Sequence, residues 1–191
     1  MAKFKKIKTP IEGLYIIESS IFEDSRGFFM ESFNQREFID LGLKMNFVQD
    51  NYCRSKKGAL RGLHFQTEHP QGKLLQVIKG VVYDVAVDLR KDSATYGQYY
   101  GIILSSGNQK MLYIPEKFAH GVLTLSEEAE FLYKTGDYYY PEFATGLIWN
   151  DQDINIDWPL DEYSIKEENL LLSDRDKNLP TLKEYNMNNK K

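Results

Sequence analysis

From Phe47 onward the chain is a succession of short apolar stretches in which every second residue points the same way, separated by turn residues. The clearest is residues 81–88. There Val81, Tyr83, Val85 and Val87 alternate with Val82, Asp84, Ala86 and Asp88, which predicts a strand. Residues 74–78 lead into it through a tight Lys79-Gly80 connection. Residues 99–104 and 111–114 flank Ser105-Ser106-Gly107-Asn108, turn chemistry that predicts a hairpin. Residues 120–125 and 130–135 are joined through Ser126-Glu127-Glu128. Upstream, residues 13–17 and 26–33 read as strands around the polar turn Glu23-Asp24-Ser25. One helix is signalled by a capping box, with Asn34 as cap and Glu37 reaching back, ahead of Phe38, Ile39 and Leu41; Gly42 ends it. Residues 166–191 lose strand character and are expected to fold over the barrel as far as Pro180 and to fray beyond. Short strands without intervening helices predict an all-β sandwich or barrel with a few short peripheral helices. No repeat or low-complexity linker divides the 191 residues, so one domain is expected over 1–191, its core at about residues 10–180.

Composition narrows the function. A formal net charge of −4 argues against broad binding to nucleic acid or anionic membranes. Lys3, Lys5, Lys6, Lys8, Lys190 and Lys191 read as solvated termini. The single cysteine, Cys53, excludes an intramolecular disulfide and a cysteine-based zinc site. It reads as a small buried or half-buried side chain. No apolar run reaches membrane-spanning length and the start lacks a secretory signal pattern, so a cytoplasmic protein is expected. The 13 Tyr and 11 Phe, gathered in places such as Tyr138-Tyr139-Tyr140, suit strands and stacking surfaces.

Candidate chemistry centres on two of three histidines. His64 lies in Arg61-Gly62-Leu63-His64-Phe65-Gln66, a strand pattern. In a regular strand His64 and Arg61 face opposite ways, and they share a pocket only if the strand is kinked at Gly62. His120 follows a Pro115-led turn and points inward if Val122 and Thr124 do; a packed structural histidine is the competing reading. Lys73 opens a strand whose same-face residues, Leu75 and Val77, are apolar, so it either snorkels to solvent or sets a cation at a cavity mouth. Tyr133, taken alone, reads as core. His69, in Thr67-Glu68-His69-Pro70, reads as solvent-facing.

Several ordered motifs occur together: Arg26-Gly27-Phe28-Phe29 with Glu31-Ser32, Phe47-Val48-Gln49-Asp50-Asn51, Leu60 to Gln66, Gln71-Gly72-Lys73-Leu74, Tyr83 to Arg90, Phe118-Ala119-His120-Gly121, and Leu147-Ile148-Trp149-Asn150-Asp151. On these the chain resembles the dTDP-4-dehydrorhamnose 3,5-epimerase family of the cupin superfamily, over about residues 10–180. The resemblance implies a cupin-type jelly roll. It also implies inversion of carbons 3 and 5 of a dTDP-4-keto-6-deoxyhexose, by proton removal next to the ketone and return on the opposite face. It makes His64 the base, oriented by Asp176, with Asp174 close enough in sequence to compete. Tyr133 becomes the acid, Lys73 the cation beside the keto oxygen and His120 a supporting polar group. Arg26 and Arg61 would meet the pyrophosphate, whose oxygens suit the planar guanidinium fork. Glu31, Gln49, Asn51 and Tyr139 would surround base, sugar and phosphates, with the choice of stacking ring among the three adjacent tyrosines open. The family also implies a homodimer with exchanged N-terminal strands, in which the Arg26 segment serves the neighbouring site.

Two rivals remain. A metal-dependent cupin needs a His-x-His pair, which Gln66 breaks, so neither metal nor cofactor is expected. A non-catalytic sugar-nucleotide-binding barrel would keep Arg61 and the tyrosines but has no use for His64, Lys73, Tyr133 and Asp176 together. A mono-epimerase on a related nucleotide-linked 4-keto sugar is the near alternative.

Overall fold

The computed structural model describes residues 3–188. In chain order the elements are β1 (Phe4–Lys8), β2 (Tyr15–Ser19), β3 (Ile21–Asp24), β4 (Gly27–Met30), α1 (Gln35–Asp40), β5 (Gln49–Lys56), β6 (Leu60–Gln66), β7 (Lys73–Lys79) and β8 (Val81–Asp88). There follow β9 (Tyr99–Ser105), β10 (Met111–Ile114), β11 (Phe118–Thr124), β12 (Glu128–Thr135), β13 (Ala144–Gly146), α2 (Asp174–Lys177) and α3 (Leu182–Asn188). Two antiparallel sheets, ordered β1-β2-β10-β7-β12-β5 and β13-β6-β11-β8-β9, face each other, and β3–β4 forms a separate hairpin.

From β5 to β13 the chain changes sheet at every connection except β8 to β9. The predicted 99–114 hairpin is therefore corrected. β9 pairs with β8, while β10 pairs with β2 and β7 in the other sheet. The turn residues reverse the chain as expected, but they carry it across the edge of the sandwich instead of back along the same sheet. Such crossing connections make a jelly roll.

The inward residues meet between the sheets: Leu75 and Val77 from one side, Val82, Ala86 and Val122 from the other, with Phe131 and Leu112. The outer face of the five-stranded sheet is buried as well. Leu63, Phe65, Val85 and Leu123 pack under Trp149, Trp158, Ile165 and Leu182 of the C-terminal segment. This is why β8 is apolar at both sets of alternate positions.

Helix α1 covers part of the outer face of the other sheet. Six residues are too few to hold a helix alone. Phe38, at 1% exposure, packs with Phe4, Ile17, Leu43 and Met111 and supplies about 2–3 kcal/mol of burial. Asn34 caps it through the amides of Arg36 and Glu37, and Gly42 leaves it at φ +77. The expected reciprocal bond is absent, because the Glu37 carboxylate accepts from the Lys3 amide at 2.9 Å instead.

Three further expectations are corrected. The N-terminal lysines are not loose: Lys5, Lys6 and Lys8 belong to β1, an edge strand paired along its length with β2, and lysines commonly protect such edges. The first turn falls at residues 24–27, since β3 runs to Asp24 and Gly27 adopts φ +124. The chain beyond Pro180 does not fray within the described residues. There α3 carries its own capping box, in which the Glu184 carboxylate accepts from the Thr181 amide (2.8 Å) and Thr181 Oγ1 from the Glu184 amide (3.2 Å). Leu182 is buried, and Tyr185 sets its ring edge-on to Phe65 at 5.2 Å. Lys190 and Lys191 lie outside the described residues. No helix among the described residues is long and apolar enough to cross a membrane.

Candidate active site

The site begins at a kink in β6. Gly62 adopts φ +130, and a Cβ there would lie 2.5 Å from the Gly121 Cα. Only glycine fits this close approach to β11. Opposite it the register slips: His64 pairs with His120, yet Arg61 pairs with Val122. Three steps along β6 thus match two along β11, a bulge that brings Arg61 and His64 into one cavity of about 470 Å³.

His64 Nε2 meets Asp176 Oδ1 at 2.6 Å. Asp176 sits in α2, whose first turn is capped by Ser173 Oγ accepting from the Asp176 amide at 3.1 Å. Burial pushes the Asp176 carboxyl up, but hydrogen bonds and charge from His64, with Ser173 and the Gly62 backbone, bring it below the usual carboxylate value. It is therefore an anion placed to accept a hydrogen bond from the Nε2–H of His64, an arrangement that points Nδ1 away from it. Asp174 is fully exposed and pairs with Lys177, so Asp176 is the partner.

Facing it from the same sheet, His120 Nε2 lies 3.0 and 3.1 Å from the two oxygens of Asp84. Lys73 does not snorkel. It is 6% exposed and lines the cavity from the opposite sheet. Burial pushes its ammonium down to about 8, with Asp84 pulling the other way. Tyr133, also on the opposite sheet, has its phenol held above the usual value, chiefly by burial and then by Cys53, so it keeps its proton at neutral pH. An imidazole and a phenol thus come from opposite walls of one cavity.

Arg61, Gln49, Asn51 and Tyr139 line the same space. Arg61 Nε donates to Ser55 Oγ at 3.1 Å, and Gln49 Nε2 to Asn51 Oδ1 at 2.9 Å. Of the adjacent tyrosines only Tyr139 lines the cavity; Tyr140 stacks on His69 at 4.5 Å. His69 is exposed, as expected, and lies 3.3 Å from Asp137. Arg26 and Glu31 are not brought to this chain's cavity. Arg26 lies exposed at the tip of the β3–β4 hairpin against Asp24, and Glu31 is bound to Lys3 and Asn34.

Two site residues were missed from the sequence. Asp84 had a signal, since a carboxylate at an inward position between Val82 and Ala86 needs a buried partner. Arg175, which lines the cavity beside Asp176, had none beyond that adjacency. Among the described residues no three His, Cys, Asp or Glu side chains stand where they could hold a metal ion.

A sequence profile of dTDP-4-dehydrorhamnose 3,5-epimerase matches residues 8–184. The chain belongs to the dTDP-4-dehydrorhamnose 3,5-epimerase family. It is 50% identical to the dTDP-4-dehydrorhamnose 3,5-epimerase of Methanothermobacter thermautotrophicus over 96% of this chain and 97% of that one. Among solved structures, the dTDP-4-dehydrorhamnose 3,5-epimerase of Elizabethkingia anophelis superposes with a TM-score of 0.89 at 45% identity, covering 96% of this chain and 99% of that one. The dTDP-6-deoxy-D-glucose-3,5-epimerase of Legionella pneumophila, in complex with dTDP-4-keto-L-rhamnose, also gives 0.89 at 45% identity, over 94% and 93% of the two chains. The two facing sheets are the cupin-type jelly roll of this family.

Proposed function

We propose that this protein is an isomerase that inverts carbons 3 and 5 of a dTDP-4-keto-6-deoxyhexose, converting dTDP-4-dehydro-6-deoxyglucose to dTDP-4-dehydrorhamnose on the route to dTDP-L-rhamnose. The observation that carries the reading is the His64–Asp176 pair and the Tyr133 phenol on opposite walls of one cavity, with the Lys73 ammonium in the same space. His64 Nδ1 removes a proton from the carbon next to the ketone, and Asp176 stabilises the imidazolium that forms. Lys73 stabilises the enolate oxygen, where a cation in a desolvated site counts most. Tyr133 returns a proton from the other face. Arg61, with the cavity-lining Arg175, suits the pyrophosphate, and Tyr139 the face of the nucleobase.

We further infer a homodimer. The β3–β4 hairpin exposes Ile21, Phe22, Phe28 and Phe29, the last at 66%, and an isolated hairpin is marginal in water. A second copy covering it would carry Arg26 towards the neighbouring cavity, with Glu31 following. Mixed dimers of Arg26→Ala and His64→Ala chains would then rebuild one intact site in each hybrid. Recovered activity supports the exchange, and none on confirmed hybrids overturns it.

The reaction itself is tested in deuterated water with dTDP-4-keto-6-deoxyglucose. Label at carbons 3 and 5 is expected. Label at one carbon makes the enzyme a mono-epimerase, and no label at either leaves a binding protein. Tyr133→Phe should slow completed inversion more than proton removal.

A further inference from the structure

Four consecutive residues after β12 are held by glutamine side chains from elsewhere in the fold. Gln71 Nε2 donates to the Asp137 carbonyl (2.9 Å) and Gln66 Nε2 to the Tyr138 carbonyl (3.2 Å). The Tyr139 amide donates to Gln49 Oε1 (3.2 Å) and the Tyr140 amide to Gln66 Oε1 (2.8 Å). Gln66 also donates to the His69 carbonyl at 2.7 Å.

Gln66 is the centre of this arrangement. Its partners are two carbonyls and one amide, which fixes the orientation of its own amide group and uses both of its N–H donors. It has no hydrogen left to offer a ligand, although it lies two residues from His64 on the same strand and is only 5% exposed. A buried amide costs stability unless it is bonded, so an apolar side chain would fill this position with less to satisfy. What the amide adds is control of the chain on both sides of Tyr139. The Tyr139 ring is half exposed at the cavity, whereas the next ring, Tyr140, is stacked on His69. What these bonds hold is the backbone on both sides of Tyr139, from which its ring projects.

We propose that Gln66 is a positioning residue for the nucleotide end of the site. It fixes residues 138–140 so that Tyr139 stands ready as a wall against the nucleobase, and it acts on affinity for the nucleotide rather than on proton transfer. A wall already in place spares the ligand the cost of ordering it. The inference rests on the proposed dTDP-sugar substrate.

The test measures dTDP affinity by calorimetry, together with KM and the saturated rate of deuterium uptake, for Gln66→Leu and Gln66→Glu. Both are made in the full chain with Tyr139 intact and with Tyr139→Ala. Gln66→Leu should weaken dTDP and raise KM by about tenfold, the scale of a lost buried hydrogen-bond set. Its saturated exchange rate should stay within about threefold of wild type. With Tyr139→Ala in place, the further loss of dTDP affinity should shrink to within about twofold, because the two residues act as one unit. Gln66→Glu keeps the acceptor for the Tyr140 amide but sets a carboxylate oxygen against the His69 and Tyr138 carbonyls, so it should weaken dTDP at least as far. It carries the same readouts if Gln66→Leu fails to fold. Full, additive loss in the Tyr139→Ala background, or a saturated rate that falls as far as affinity, overturns the proposal. So does unchanged dTDP affinity in an enzyme whose wild type exchanges deuterium. A wild-type chain that neither binds dTDP nor exchanges deuterium overturns the proposed reaction as well.

Discussion

His64 and His120 sit side by side on neighbouring strands, each with a carboxylate against its Nε2, and they are built for different work. The side chain of His64 is 39% exposed, and its partner Asp176 arrives from a short helix in the C-terminal segment. The ring of His120 is 8% exposed, and Asp84, from the adjoining strand, is wholly buried with both oxygens against it. Asp84 also acts on the Lys73 ammonium across the cavity. An imidazole that substrate can reach, with one nitrogen held by a carboxylate, suits the base of the proposed reaction. The more deeply buried pair suits a supporting role, holding a carboxylate where it acts on Lys73. Reachability, rather than residue type, separates them.

Removing each histidine should break the comparison most sharply. His64→Ala should lower the rate of deuterium exchange at both carbons by about 10³-fold, within the range for a general base, and leave dTDP affinity largely intact. His120→Ala should cost less, on the order of tenfold, the scale of a group that supports another. Equal losses would mean that both rings move protons and that the exposure difference is irrelevant.

The carboxylates give the next largest contrast. Asp176→Asn should cut exchange by roughly 10²-fold or more, since an amide no longer favours the tautomer with its lone pair on Nδ1, with a small change in Tm. Asp84→Asn should do the reverse in emphasis. It removes a carboxylate oxygen from the buried His120 ring and the charge that acts on Lys73, and should lower stability by about 1–3 kcal/mol, read as a fall in Tm. A Tm loss confined to the Asp176 variant would overturn the division.

The contrast explains why only part of the site could be read from the chain. His64, Lys73 and Tyr133 fall at positions where the period of the strand already assigns a face, and the kink that unites Arg61 with His64 was legible in Gly62. Asp176 depends on where a C-terminal segment lands, which no local pattern encodes. The sheets were readable from alternation. Their pairing was not, because Ser105 to Asn108 signals a reversal equally well for a hairpin and for a crossing between sheets. The helix after Pro180 was signalled by Thr181 and Glu184, a capping box outweighed by the polar residues around it.

A smaller effect separates the pairs by pH. With the Lys73 ammonium at about 8, kcat/KM should decline above about pH 8 as the cation is lost. Asp84 pulls that value up, so Asp84→Asn should let it fall further and start the alkaline decline at lower pH. Asp176→Asn should leave that limb in place. An alkaline limb that moves with Asp176 and not with Asp84 would assign it to the wrong pair.

The smallest expected effect is on stability, and its sign follows from the same burial. The folded Lys73 ammonium sits at about 8 against an ordinary value of 10.5, so between those values the folded chain binds fewer protons than the unfolded one. Stability therefore rises with pH across that window, and below about pH 8 the full penalty for burying the charge is present. Each tenfold loss of proton affinity on folding is worth at most about 1.4 kcal/mol, and at the effective dielectric that suits even buried sites the whole gain is of the order of 1 kcal/mol. Urea unfolding at about pH 7 and about pH 10 should show wild type gaining on Lys73→Met, which has no such group to titrate. Parallel curves for the two proteins would mean that Lys73 is better solvated than its position among Leu75, Asp84 and His120 implies. The cation would then owe nothing to the enclosed pair that distinguishes His120 from His64.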